Sequence, residues 1–147
     1  MAFDLETTGI STNTDRIVQI ALIGSNSTGD TVHYETLVNP RRPIPPGASG
    51  VHGIFDSDVK GEQDFRHHAD EIHRLIENSV VVGHNIRKFD MPLLENEFRR
   101  IGRLPPKPKA MMDTLEIVRR VKLGRPHNLG SLCRRHGISL DLSLIHI

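Results

Sequence analysis

Thiol chemistry is almost missing from this chain of 147 residues, which has a single cysteine, Cys133. No disulfide within the chain is possible and a thiolate metal site is excluded; Cys133 reads as a small buried residue on a helix. Long apolar runs are missing too. No stretch approaches the roughly 20 residues that cross a bilayer as a helix, and Met1-Ala2-Phe3-Asp4 does not open a secretory signal. No repeat, low-complexity tract or second-domain boundary interrupts the chain. One domain over residues 1–147 is therefore expected, without a membrane, in a soluble and reducing intracellular compartment. The histidines His33, His67, His68 and His73 lack zinc-ligand spacing and read as surface residues.

An overall excess of one charge is also lacking, since 19 lysines and arginines face 18 acids for a net charge of +1. The balance hides an asymmetry: residues 1–83 sum to −6 and residues 84–147 to +7. Each cation of the second half, taken singly, reads as part of a solvated helix face. Pooled, the excess suits a phosphate backbone.

What is present is a clear order of elements. Ile17 to Ile23 is a short apolar, β-branched run, as in a strand buried on both faces. Ser25 to Asp30 has turn composition and Thr31 to Val38 alternates, so the two runs predict an antiparallel hairpin beside the strand that carries Asp4. Arg41 to Gly47, with three prolines, predicts an extended surface loop. Phe65, Ala69, Ile72, Leu75 and Ile76 follow helical spacing, and Ser79 to Gly83 is a compact strand. Met91, Leu94, Phe98 and Ile101 mark a helix face that Gly102 and the Pro105-Pro106 pair end. Helices are further predicted over 113–121 and 127–136. The chain is thus read as α/β, a mixed sheet of antiparallel hairpin strands plus parallel strands, flanked by helices.

Chemistry concentrates in two places. Asp4 and Glu6 stand at i and i+2 where a strand is expected to end, so both carboxylates share one face. Two such carboxylates, followed by Thr7-Thr8-Gly9, make a hard-oxygen site suited to Mg²⁺ or Mn²⁺. A D-x-E alone is most often a solvated pair. The second place is His84-Asn85 with Phe89-Asp90, which follows a strand and opens a helix. Asp90 alone would read as a helix cap, at a position where exposed amides favour anions.

Together, Asp4-Leu5-Glu6-Thr7-Thr8-Gly9 and Gly83-His84-Asn85-Ile86-Arg87-Lys88-Phe89-Asp90 resemble the first two motifs of the DEDD superfamily of 3′–5′ exonucleases, in its DEDDh proofreading branch. The resemblance covers nearly the whole chain. It implies a ribonuclease H-like sheet and hydrolysis of phosphodiester bonds at single-stranded or frayed nucleic-acid 3′ ends, releasing mononucleotides. It also implies two Mg²⁺ or Mn²⁺ ions, about 3.5–4 Å apart in such sites, held by Asp4, Glu6 and Asp90 as the catalytic acids. Thr7, Thr8, His52, Asn85 and Phe89 become the substrate-binding residues, with Thr7 and Thr8 at the 3′ hydroxyl, His52 near base or sugar and Asn85 on the terminal nucleotide. The bland readings are a surface histidine in a plain turn for His52 and a core residue for Phe89. Asp113, in Asp113-Thr114-Leu115, reads as a helix cap and is left out of the site. A DNA polymerase is an implied partner, and a cytoplasmic or nucleoid-associated location follows.

Two features depart from the pattern. Three residues separate the H-N and F-D pairs, where the bacterial proofreading form usually has two. The third motif, H-x-x-x-x-D, is the larger departure. His146 lies near the place of its histidine, the general base, but the chain ends at Ile147, before the aspartate. The expectation is a chain cut short before that motif, with a few foreign residues at its end, and with a first strand that is short or starts upstream. The alternative reading is a module that grips a 3′ end without cleaving it.

Overall fold

The apolar runs pair as expected in the computed structural model, which describes residues 1–139. In chain order the strands and helices are β1 (Ala2–Thr7), β2 (Ile17–Ser25), β3 (Thr31–Leu37), α1 (Pro46–His52), α2 (Asp56–Val59) and α3 (Phe65–Ile76). There follow β4 (Val80–Gly83), α4 (Asp90–Arg100), β5 (Ala110–Asp113), α5 (Thr114–Arg120) and α6 (Leu129–Arg135). The sheet order is β3-β2-β1-β4-β5. β2 pairs antiparallel with both β3 and β1, while β4 runs parallel to β1 and β5 parallel to β4. This is the mixed sheet that the sequence predicts.

Alternation along β1 sets everything that follows. Phe3 and Leu5 are buried and join Ile20, Leu22, Ile72, Ile76, Leu94 and Phe98 in the main core, so α3 and α4 cover this face of the sheet. Burying each such side chain contributes on the order of 1.5–3 kcal/mol. The intervening residues Ala2, Asp4 and Glu6 point to the other face, where Ala2 and Asp4 are exposed and Glu6 is half-buried. A smaller cluster of Val18, Ile44, Ile54 and Val59 packs beneath α1 and α2.

At β4 the chain comes too close to β1 for any side chain. A Cβ on Gly83 would lie 2.3 Å from Ile86 Cγ2 and 2.6 Å from the Phe3 carbonyl oxygen. Glycine at the end of β4 therefore lets the His84-Asn85 turn press against β1.

Four expectations need correction. β1 is a full six-residue strand, and Asp4 sits within it rather than at its end. Pro46 and Gly47 are not loop but the first turn of α1, where proline's missing N–H costs nothing. β5 was not predicted: its Ala110-Met111-Met112-Asp113 has no β-branched residue, and pairing with β4 rather than local preference makes it a strand. Finally, His127 lies outside α6, which starts at Leu129 behind an Asn128 cap. Among the described residues no helix is long and apolar enough to cross a membrane.

Candidate active site

Parallel β1, β4 and β5 end at one edge of the sheet, the edge where open α/β sheets collect their ligands. β1 brings Asp4 and Glu6 there on a shared face. Asp90 arrives from another element as the first residue of α4, and its Oδ1 accepts a hydrogen bond from the Leu5 amide at 3.1 Å. The backbone atom that receives Asp90 thus lies between the two strand acids.

The charges of Asp4 and Glu6 reach Asp90, and no cation balances them among the described residues. Among the described residues none of Asp4, Glu6 and Asp90 takes part in an ion pair. Loss of hydration pushes Asp4 up to about 6 against the pull of the Leu5 amide, although solvent still reaches this side chain at the open face. Burial, then the charge of Asp4, pushes Glu6 up to about 7. Asp90 is 4 % exposed. Burial, then the Asp4 charge, pushes it up to about 7; its own amide and that of Leu5 oppose this, and the Glu6 charge adds to it. Oxygen-only donors that repel one another suit a hard divalent cation. They do not form a ready-made cage, however: among the described residues no three His, Cys, Asp or Glu side chains are gathered closely enough to hold an ion as they stand.

The threonines and His52 act on the shape of the adjoining loop. Thr7 Oγ1 donates to the Gly9 carbonyl at 2.7 Å. Thr8 is 2 % exposed, its hydroxyl donating to Asp15 Oδ1 at 2.8 Å and accepting from the Arg16 amide at 3.0 Å. The Thr8 amide donates to the Arg16 carbonyl, so its amide and hydroxyl hydrogens are both engaged within the loop. His52 is not the surface histidine of the bland reading. It is buried at the end of α1, accepting from the Ile54 amide at Nδ1 and donating from Nε2 to the Thr7 carbonyl at 3.2 Å. Those roles require the neutral Nε2–H tautomer.

The second motif is held by residues that follow β5. Thr114 Oγ1 donates to the Gly83 carbonyl and accepts from His84 Nδ1 at 2.9 Å. Asn85 adopts φ +63°, a left-handed conformation that asparagine tolerates. Its amide donates to Asp113 Oδ1 at 2.9 Å, and the Arg87 amide donates to Asp113 Oδ2 at 3.1 Å. Asp113 also accepts from the Leu115 amide, the cap expected of it. Burial would raise its carboxyl, but the amides of Arg87, Asn85, Leu115 and Glu116 outweigh that and hold it below the usual range. Phe89 packs against the main core with part of its ring surface open.

Sequence reasoning missed Ile10 and Val51. They stand 92 % and 81 % exposed, next in the chain to Gly9 and to His52, whose ring bonds the Thr7 carbonyl. Their neighbours Gly9 and His52 were the available signal. It missed Glu97 as well, which clamps α4 to the loop after β1. His146 lies outside the described residues.

The exonuclease family model, RNase T, matches residues 1–146. A DNA polymerase III subunit epsilon-like protein of Rhodobacter capsulatus is 35% identical over 153 residues, covering 99% of this chain and 21% of that protein. The DNA polymerase III subunit epsilon of Treponema pallidum is 31% identical over 142 residues, covering 95% of this chain and 65% of its own length. Among solved structures, E. coli Exonuclease I in complex with a dT13 oligonucleotide shares the fold with a TM-score of 0.81 at 21% identity, over 96% of this chain and 36% of that one. A zinc-bound form of the complex of Exonuclease I with single-stranded DNA matches equally well, with a TM-score of 0.82. The chain spans less than two thirds of the length of these curated relatives, 21% of the first and 65% of the second. These comparisons lend no support to a module that only grips a 3′ end.

Proposed function

The chain belongs to the exonuclease family whose model spans it, and on that footing we propose that it removes mononucleotides from the 3′ end of a single-stranded or frayed nucleic acid. The observation that carries this reading is the uncompensated trio Asp4, Glu6 and Asp90 at the common end of parallel strands. Asp4, Glu6 and Asp90 would hold two Mg²⁺ or Mn²⁺ ions, which supply charge neutralisation at the scissile phosphate and a hydroxide nucleophile near neutral pH. With no cation bound, Glu6 and Asp90 retain protons close to neutrality, so ion binding is coupled to proton release and weakens as pH falls below about 7.

The other residues position the strand end. Asp113 and Thr114 fix the turn that carries His84 and Asn85, leaving the Asn85 side chain to face a terminal nucleotide. Thr7, Thr8 and His52 hold the opposite lip through the loop that they stabilise. Ile10 and Val51 offer apolar surface against which bases can stack, an interaction worth about 1–3 kcal/mol per base when the partner is aromatic and less here. Relatives that are DNA polymerase III subunits favour a polymerase as partner and a cytoplasmic or nucleoid-associated site of action.

A 5′-labelled oligonucleotide incubated with Mn²⁺ tests the reading. Single-nucleotide shortening from the 3′ end is expected. Asp4→Ala and Asp90→Asn should each lose activity by about 10³-fold or more, several kcal/mol of transition-state stabilisation. Internal fragments, or a ladder undiminished in Asp4→Ala, would overturn it.

A further inference from the structure

Residues 117–139 contain no aspartate or glutamate, yet they carry six cations, Arg119, Arg120, Lys122, Arg125, Arg134 and Arg135. Elsewhere Arg16, Arg41, Arg74, Arg87, Arg99, Arg100 and Arg103 each pair with an acid. In this stretch no cation does so among the described residues. Arg134 and Arg135 are occupied inside it: Arg134 donates to Ser131 Oγ, and Arg135 donates to the carbonyls of Gly124 and Pro126. Arg119, Arg120, Lys122 and Arg125 have no acidic partner among the described residues.

Two clefts organise these charges. One is lined by Arg119, Arg125, Pro126 and His127. Its loop is braced, because Arg135 holds two of its carbonyls and His127 Nε2 bonds the Leu123 carbonyl at 2.6 Å. The second cleft, next to the clamp on Asn85, is lined by Arg87 and Arg120 together with the acids Asp113 and Glu116, so its cations are partly balanced. α5 joins them. It begins at Thr114, bonded to His84 at the strand-end rim, and its seven residues end at Arg120. A helix of that length is about 10 Å long, or about three stacked nucleotides at ~3.4 Å each.

We propose that the Arg119–Arg125 cleft binds backbone phosphate of the nucleic-acid strand, 5′ to the nucleotide seated at the acidic site. The inference deepens the exonuclease reading and takes its ligand class from it. The physical warrant is independent: exposed guanidinium groups on a braced frame, with no acid in the described lining of the cleft, are the donors that phosphate oxygens select. A strand that only fills the acidic site would stop short of the cleft.

The test is equilibrium binding of 5′-fluorescein dT3 and dT12 by anisotropy, in EDTA so that nothing is cleaved, across a salt series. The parent chain should bind dT12 at least tenfold more tightly than dT3. In Arg119→Ala/Arg125→Ala this ratio should collapse towards one. The slope of log K against log salt for dT12 should fall by about 1.4, or ~0.7 for each lost phosphate contact on a single strand. Lysine at both positions should keep most of the slope. An unchanged ratio and slope in the alanine variant would overturn the cleft. So would a loss confined to phosphatidylserine vesicles with strand binding intact, which would assign the surface to lipid. Binding is read without hydrolysis, so failure of the exonuclease reading would show in the 3′ ladder and leave this measurement decisive.

Discussion

Helix α4 carries two buried carboxylates seven residues apart, Asp90 at 4 % and Glu97 at 1 % exposure, and their surroundings are opposite. Glu97 is met by cations. Arg16 approaches with Nε at 2.7 Å and Nη2 at 3.1 Å, the Ile17 amide donates at 3.2 Å, and Arg100 Nη1 lies at 3.2 Å. Asp90 is met by two further acids and by amides alone. Two helical turns separate the positions, about 10 Å. One end of the helix is fastened to the fold, and its other end holds a charge that the fold itself leaves unbalanced. Burial therefore does not tell a structural acid from a functional one. The identity of its neighbours does.

The largest effect on stability should follow from breaking the fastened end. Glu97→Ala would strand Arg16 and Arg100 against a desolvated wall and leave the Ile17 amide without its acceptor. A cost of about 3–5 kcal/mol is expected, the range for a buried pair broken from one side. The same helix holds the loop after β1 through Asn96 to the Thr12 carbonyl and Arg100 to the carbonyls of Asn13 and Asp15. Denaturant unfolding of Glu97→Ala checks this. A loss under 1 kcal/mol would mean that the apolar face of α4 suffices without its clamp.

At the other end the sign should reverse. Asp90 and Glu6 titrate near 7 in the folded protein and Asp4 near 6, all above their unfolded values of 3.8 to 4.5. The metal-free folded state thus holds protons that the unfolded chain has released. The destabilising contribution is absent below about pH 4, grows as pH rises, and is complete above about pH 7. Asp90→Asn keeps an acceptor for the Leu5 amide and removes the charge, so in EDTA near pH 8 it should gain about 2–4 kcal/mol. Thermal melts from about pH 5 to 8 should slope downward for the parent and flatten for the variant. Parallel slopes would show that the Asp90 carboxyl is not raised in the folded protein.

How much of this could be read from the chain depends on how local the cause is. Asp4 and Glu6 share a face because strand side chains alternate, and two residues suffice to show it. The helix that begins at Asp90 follows from the spacing of Met91, Leu94 and Phe98. Glu97 gave no such sign, since its partner Arg16 lies 81 residues away and only packing brings them together. β5 was invisible for the same reason, being a strand only because β4 lies beside it. The burial of His52 gave no local sign, since its bond to the Thr7 carbonyl reaches across 45 residues to the end of β1.

Asp113 joins the two cases and gives the smallest and most selective test. Like Asp90 it is buried at the end of a parallel strand, at 4 % exposure. Like Glu97 it is satisfied, but by amides instead of cations, and its carboxyl is lowered instead of raised. A lowered carboxyl contributes stability that is present above the unfolded value and is lost only as pH falls through the folded one. Asp113→Asn keeps the Oδ1 acceptor for the Asn85 and Leu115 amides and loses the Oδ2 bond to Arg87, so it should cost about 1 kcal/mol. That cost should be constant from about pH 5 to 8, the range in which the Asp90→Asn gain grows. If the Asp113→Asn penalty also changed across that range, Asp113 would be coupled to the acidic trio. The distinction between a carboxylate that holds the His84-Asn85 turn and those whose charge the fold leaves unbalanced would then fail.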